Sequence, residues 1–152
     1  MSSTIVSILK LSDFRAMKTY FEVAQNVSEF DKSQLELAID VAVLQSNDAD
    51  DDMAVQLTVD VNGTEAQYRN AGFTGSIVVV GFFDASLLKR EHADDWETLL
   101  IYNGVTVLMG TVRTMYADLS AASPVGRLII PAVNVSQMLN QPTIAGDAGL
   151  DE

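Results

Sequence analysis

Residues 97–122, ETLLIYNGVTVLMGTVRTMYADLSAA, constrain this chain more than any other stretch. Composition leaves the segment ambiguous, because β-branched residues are frequent and Gly104 and Gly110 interrupt it. Periodicity decides in favour of a helix. Ile101, Val105, Leu108, Met109, Val112, Met115, Tyr116 and Leu119 fall on one side of a 3.6-residue repeat. Asn103, Thr106, Gly110, Thr114, Ala117 and Ala121 fall on the other, and nearly all are small. Arg113 and Asp118 are the only charges between Thr98 and Pro124. A surface helix ordinarily shows one apolar stripe and a charged back. Here the large apolar face suits a sheet, and the smooth face suits close approach by another helix. The expectation is a helix buried on two sides, one of them covered by another subunit. Asp94 with Glu97 three residues on is the expected start, and Pro124 and Gly126 the stop.

A chain of 152 residues with 48% apolar side chains supports one domain with a real core, placed at residues 1–140 and followed by an acidic flexible tail at 141–152. The net charge of −12 argues against nucleic acid and anionic membrane surfaces, both of which need clustered Lys and Arg. It serves solubility or a docking surface for a basic partner. Cysteine is absent, which excludes disulfides and thiolate chemistry. Residues 1–4 lack the basic region of a signal peptide, and no apolar run reaches the roughly 18 residues of a membrane span. These features predict a cytoplasmic protein without direct membrane insertion.

Residues 4–23 read as extended, with a break near residues 13–15 and a strand in KTYFEV. Residues 34–45 alternate, with Leu35, Leu37, Ile39, Val41 and Val43 on one face and Glu36, Ala38, Asp40 and Ala42 on the other. After a polar turn at 46–52, Met53, Val55, Leu57, Val59 and Val61 alternate with Ala54, Gln56, Thr58 and Asp60, which predicts an antiparallel hairpin. Asn62-Gly63 is a turn signal and leads to an expected third strand at 65–69 that extends towards Phe83. Residues 73–83, FTGSIVVVGFF, are the most apolar of the first half, with Gly72, Gly75 and Gly81 leaving room for close backbone contact. Residues 84–95 form a charged connector with the only histidine, His92. Beyond the long helix, residues 128–130 are expected to be extended and Val135–Leu139 a helical turn.

Catalytic material is sparse. One histidine and no cysteine exclude most metal-ligand clusters and any Cys–His pair. The acidic run at 48–52 fails the EF-hand pattern, since its sixth and twelfth positions are Met53 and Val59. The glycines near 72–81 lack the Lys-Ser/Thr of a phosphate loop. No cofactor and no metal are expected. Six methionines and six phenylalanines leave an excess of adaptable apolar surface.

In the order of its features the chain resembles the SecB family of protein-export chaperones. KTYFEV at 18–23 resembles the family's first-strand pattern around Ser-Phe-Glu. Ala71-Gly72-Phe73 with Ile77 and Gly81 resembles the strand that runs into a Gly-Ile-Phe-type segment, and 102–119 with Arg113 resembles the long helix. Leu128-Ile129-Ile130-Pro131-Ala132-Val133-Asn134-Val135 is similar to the family's Leu-x-Leu-Ala-Pro-Val-Asn-Phe and is the most specific piece. Gly104 stands where the family helix has a proline near its start, and the connection at 24–33 is shorter than the family's crossover loop.

The resemblance implies an α+β fold: a four-stranded antiparallel sheet with one long helix packed on it and a short C-terminal helix. It implies a homotetramer, a dimer of dimers with helices between two eight-stranded sheets. The implied function is ATP-independent holding of unfolded polypeptides in apolar grooves, for protein export or for control of an antitoxin. Partners would be unfolded preproteins or an antitoxin, and the SecA motor. The expected groove residues are Phe73, Ile77, Val79, Phe82, Leu128, Ile130, Val133 and Met138, with Tyr20 and Phe21 as further choices. The expected oligomer interface is Asn103, Thr106, Gly110, Thr114, Ala117 and Ala121. Glu36, Asp40, Asp48, Asp50, Asp51 and Asp52 are the expected acidic docking face, joined by apolar groups near Leu57. A hotdog-type thioesterase or small-ligand-binding protein also wraps an antiparallel sheet on one long apolar helix. It needs an acidic or histidine catalytic group at the helix or the facing strand; the helix interior offers only Asp118, and His92 lies outside it. A structural assembly protein without a client is a third reading.

Overall fold

A computed structural model describes residues 9–25, 27, 29–45 and 52–139. The chain runs β1 (Lys10–Val23), β2 (Leu37–Gln45), β3 (Asp52–Val61), α1 (Glu65–Ala71), β4 (Phe73–Asp84), α2 (Ser86–Glu91), α3 (Trp96–Ala121) and α4 (Val135–Leu139). The strands form one antiparallel sheet in the order β1-β4-β3-β2. The expected tail and most of the turn at 46–52 lie outside the described residues.

Alternation decides which sheet face is covered. Val55, Leu57, Val59 and Val61 of β3 and Phe73, Ile77, Val79 and Phe83 of β4 are fully buried beneath α3. The two inner glycines of β4 let the helix approach. A β-carbon on Gly75 would lie 2.7 Å from Tyr116 Cε1, and one on Gly81 would lie 3.0 Å from Leu108 Cδ2. Gly104 brings the helix backbone down in return, since a β-carbon there would meet Phe83 and Val55 at 3.3 Å. The helix thus runs antiparallel to β4 and parallel to β3.

At the centre of this contact Tyr116, fully buried, donates its hydroxyl to the Val59 carbonyl at 2.6 Å. Desolvation, with the Asp60 carboxylate nearby, pushes its pKa well above the ordinary 10.0. A raised folded-state pKa gives stabilisation that is complete below the unfolded value and is lost as pH climbs towards the folded one. Stability should therefore fall as pH rises above about 10. Tyr116→Phe should flatten that alkaline slope and cost about 1 kcal/mol near neutrality, since it removes one buried hydrogen bond while the Val59 carbonyl keeps its ladder partner in β4. Urea unfolding at neutral and alkaline pH measures both.

Several local expectations are corrected. β1 is continuous, and register shifts between Leu11/Asp13 and Ala16/Lys18 replace the expected break. Residues 65–69 are helical because Thr64 and Gln67 form a reciprocal capping box. Gly72 then ends α1 in the left-handed conformation, φ +88°, and turns the chain into β4. Asn62 alone takes positive φ at the expected Asn62-Gly63 turn. The charged connector contains the short helix α2, and α3 begins after Asp95, with no side-chain cap from Asp94 or Asp95.

Candidate functional site

Both β1 and β2 are edge strands. In an antiparallel ladder, residues alternate between bonding the neighbour and pointing their backbone groups away from it. The Asn62 N–H donates to the Glu36 carbonyl at 2.9 Å. In step with Glu36, residues Ala38, Asp40 and Ala42 turn their backbone groups to β3. Leu37, Ile39, Val41 and Val43 turn theirs outward, to an edge that no other strand among the described residues covers.

The C-terminal segment approaches that edge along a series of fixed points. Leu128 and Ile130 are buried pegs. The buried Ser120 hydroxyl donates to the Tyr116 carbonyl and accepts from the Leu128 N–H, each at 2.7 Å. Arg113 Nε donates to the Ile130 carbonyl at 2.9 Å. Asn134 then caps α4, its Oδ1 accepting from the Gln137 N–H at 2.9 Å. The result is an open groove of about 470 Å³ between Leu37, Ala38 and Ile39 on one wall and Val133, Asn134, Gln137 and Met138 on the other. Leu37, Ile39, Val133 and Met138 are half-buried and pack on the core with part of each side chain still accessible. The groove therefore offers apolar surface beside backbone N–H and C=O groups that have no strand partner among the described residues. That combination suits an extended polypeptide, which brings both.

The opposite sheet face is polar. Arg15 lies over the Phe82 ring, 5.4 Å from its centroid, and Ser76 donates to Asp60 at 2.6 Å. Glu22 accepts hydrogen bonds from Tyr20 and from Tyr68, the latter at 2.8 Å. Those bonds hold the Glu22 carboxyl below its usual range and push Tyr68 up to about 12. Glu36, Asp40 and Asp52 share this side by register, with Glu36 and Asp40 exposed. Asp48, Asp50 and Asp51 lie outside the described residues. Leu57 is fully buried on the helix side and cannot join an acidic surface.

The structure separates the expected groove residues. Phe73, Ile77, Val79, Leu128 and Ile130 are at most 1% exposed and form the core under α3, which corrects their assignment to an open groove. Phe21 packs on Phe73 at 6.2 Å between ring centroids. Tyr20 and Phe82 point to the opposite face. Only Val133 and Met138 line the groove, and its other wall, Leu37 and Ile39, was not among the expected residues. Their alternation was readable; their position at an open edge depends on strand order, which has no local signal.

Of the expected interface, Thr106, Gly110, Thr114 and Ala121 are exposed and Asn103 is half-buried, whereas Ala117 is buried within its own chain. The polar groups on this face are already satisfied: Asn103, Thr106 and Thr114 donate to the carbonyls of Leu99, Tyr102 and Gly110. A β-carbon on Gly110 would meet nothing within 4 Å. On the apolar side, Leu119 is 40% exposed against expectation.

A solved structure of the Mycobacterium tuberculosis Rv1957 SecB-like chaperone, in complex with a ChAD peptide from the Rv1956 HigA1 antitoxin, superposes with a TM-score of 0.62. The match covers 87% of this chain and 95% of that one at 15% sequence identity. The fold is SecB-like. At that identity the likeness lies in the arrangement of sheet and helices. No protein-family model and no curated protein matches the chain by sequence. Among the described residues no helix is long and apolar enough to cross a membrane.

Proposed function

We propose that this chain is a holding chaperone that binds extended, apolar polypeptide segments along the open edge of β2, without nucleotide and without catalysis. The observation that carries the reading is the groove itself: half-buried Leu37, Ile39, Val133 and Met138 beside backbone groups that no strand among the described residues satisfies. An unfolded client gains roughly 25 cal/mol for each Å² of apolar surface covered there. Backbone hydrogen bonds add affinity that does not depend on client sequence. Asp118, the acid that a thioesterase would need, is exposed on α3.

The neighbour's antitoxin peptide favours an antitoxin as the physiological client, with export of preproteins as the alternative use of the same groove. Glu36, Asp40 and Asp52 would present an acidic face to a basic partner such as the SecA motor. Assembly as a homotetramer has support on two surfaces. β1 is an exposed edge 14 residues long, able to pair with a second β1 and build an eight-stranded sheet. The smooth face of α3 holds Gly110, whose lack of a side chain costs helix stability and relieves no contact within the chain.

Ile39→Pro tests the edge. Proline there removes an outward N–H and no ladder bond, so the sheet should survive. Binding of a fluorescent, unfolded apolar peptide should weaken about tenfold, from one lost hydrogen bond and reduced packing. Unchanged anisotropy titrations, with native circular dichroism, would reject this groove as the binding site.

A further inference from the structure

The open edge of β2 is 9 residues long and presents its backbone outward at Leu37, Ile39, Val41 and Val43, with no strand partner among the described residues. The same four side chains point to the helix side, where Val41 is buried and the other three pack half-buried on the core. A strand laid on this edge sets its own side chains alternately on the helix side and on the polar side. Residues directly opposite each other share a side, whichever way the added strand runs. An occupant with apolar groups spaced like Leu37 and Val43 therefore meets one with each.

The chain carries such a segment of its own. α4 ends at Leu139, the residue after Met138 of the groove wall. Pro142 follows, and a proline cannot continue the helix and biases the residue before it towards extended backbone. Beyond it Ile144, Gly146, Ala148 and Leu150 alternate with Ala145, Asp147 and Gly149, so both large apolar side chains fall in one row. Ile144 and Leu150 are as far apart in sequence as Leu37 and Val43. Reach is sufficient: residues 140–152 extend to about 43 Å, and the β2 edge measures about 30 Å. Residues 140–142 are left to make the turn into the groove that α4 itself borders.

The other row limits the strength of this contact. With Ile144 and Leu150 on the helix side, Asp147 falls on the side of Glu36 and Asp40, which are exposed. Like charges on neighbouring strands repel. Residues 140–152 hold no Lys or Arg to offset them. The segment is thus suited to cover the edge and to give it up.

We propose that residues 143–150 pair with the β2 edge when no client is bound, as an intramolecular stand-in that a client displaces. This rests on the reading that the edge is the client site. The short connection from α4 gives the segment a high effective concentration at the edge, so few contacts suffice. With the edge covered about 90% of the time, the apparent dissociation constant of a client is raised about tenfold. Coverage is independent of protein concentration, and salt strengthens it by screening the facing carboxylates.

Ile144→Asp combined with Leu150→Asp in the full chain is the test, since these substitutions leave every described side chain in place. By anisotropy, a fluorescent, unfolded apolar peptide should bind the double variant about tenfold more tightly than the wild-type chain. Without peptide, hydrogen exchange at the Leu37 and Ile39 amides should be about tenfold faster in the variant, and in the wild type it should not change with protein concentration. Equal exchange at these amides in the two chains overturns the pairing and leaves the holding reading intact. Protection that grows with protein concentration assigns the edge to a second copy and overturns the pairing too. Faster exchange with unchanged peptide affinity keeps the pairing and overturns its displacement by clients. If neither chain binds the peptide, the holding reading fails, and the exchange comparison still decides the pairing.

Discussion

Val133→Asp combined with Met138→Asp should abolish suppression of aggregation of a denatured client, while the protein keeps its fold. Both side chains are half-buried, and the segment that carries them is anchored upstream by Leu128, Ile130, Ser120 and Arg113. The substitutions therefore change the groove wall more than the core. Covering an aliphatic side chain fully is worth about 1.5–3 kcal/mol. Losing part of that at two positions, and adding two carboxylates that the client must desolvate, should weaken binding by roughly 100-fold or more. Phe82→Asp is the matched control. Phe82 lies on the opposite sheet face under Arg15, so its loss should leave suppression intact. Light scattering during dilution of a denatured client reads both variants. A double variant that still holds its client would move the site away from β2 and α4.

The long helix and the β2–β3 hairpin were legible in the sequence for the same reason: each has a period sustained over many residues, and burial follows it. Val55, Val59, Leu108, Val112 and Tyr116 fall where alternation and the helical repeat put them. α1 departs from the expected strand because the capping box at Thr64 and Gln67 outweighs the hairpin signal of Asn62-Gly63 just before it. The groove was legible only in part. Leu128 and Ile130 look like surface apolar groups in sequence, but the turn at Gly126, φ +81°, and the Ser120 and Arg113 bonds fold them under the helix. Leu37 and Ile39 become a groove wall because β2 ends the sheet order, which contacts between distant strands settle. A strict 3.6-residue repeat puts Ala117 on the outer face, yet it is buried within its own chain.

Asn62→Ala should be the most costly single substitution at the base of this edge, at about 3–5 kcal/mol, against the roughly 5–15 kcal/mol that a domain of this size has in total. Asn62 is fully buried and sits at φ +49°, a conformation that asparagine tolerates better than alanine. Its Oδ1 accepts from the Glu36 N–H at 2.9 Å, and its Nδ2 donates to the Phe73 carbonyl at 3.2 Å. One amide side chain thus ties the start of β2 to the start of β4 across the end of β3. Truncation leaves a donor and an acceptor unpaired, each costing about 1–3 kcal/mol, and adds left-handed strain. Asn62→Gly separates the terms: it relieves the strain and should recover about 1 kcal/mol without restoring either bond. Urea denaturation of the two variants measures the difference. Because Glu36 immediately precedes Leu37, the amides of Leu37 and Ile39 should also exchange faster in Asn62→Ala than global destabilisation alone requires. Uniform acceleration across the sheet would mean that Asn62 stabilises the domain as a whole and leaves the groove edge no more exposed than the rest.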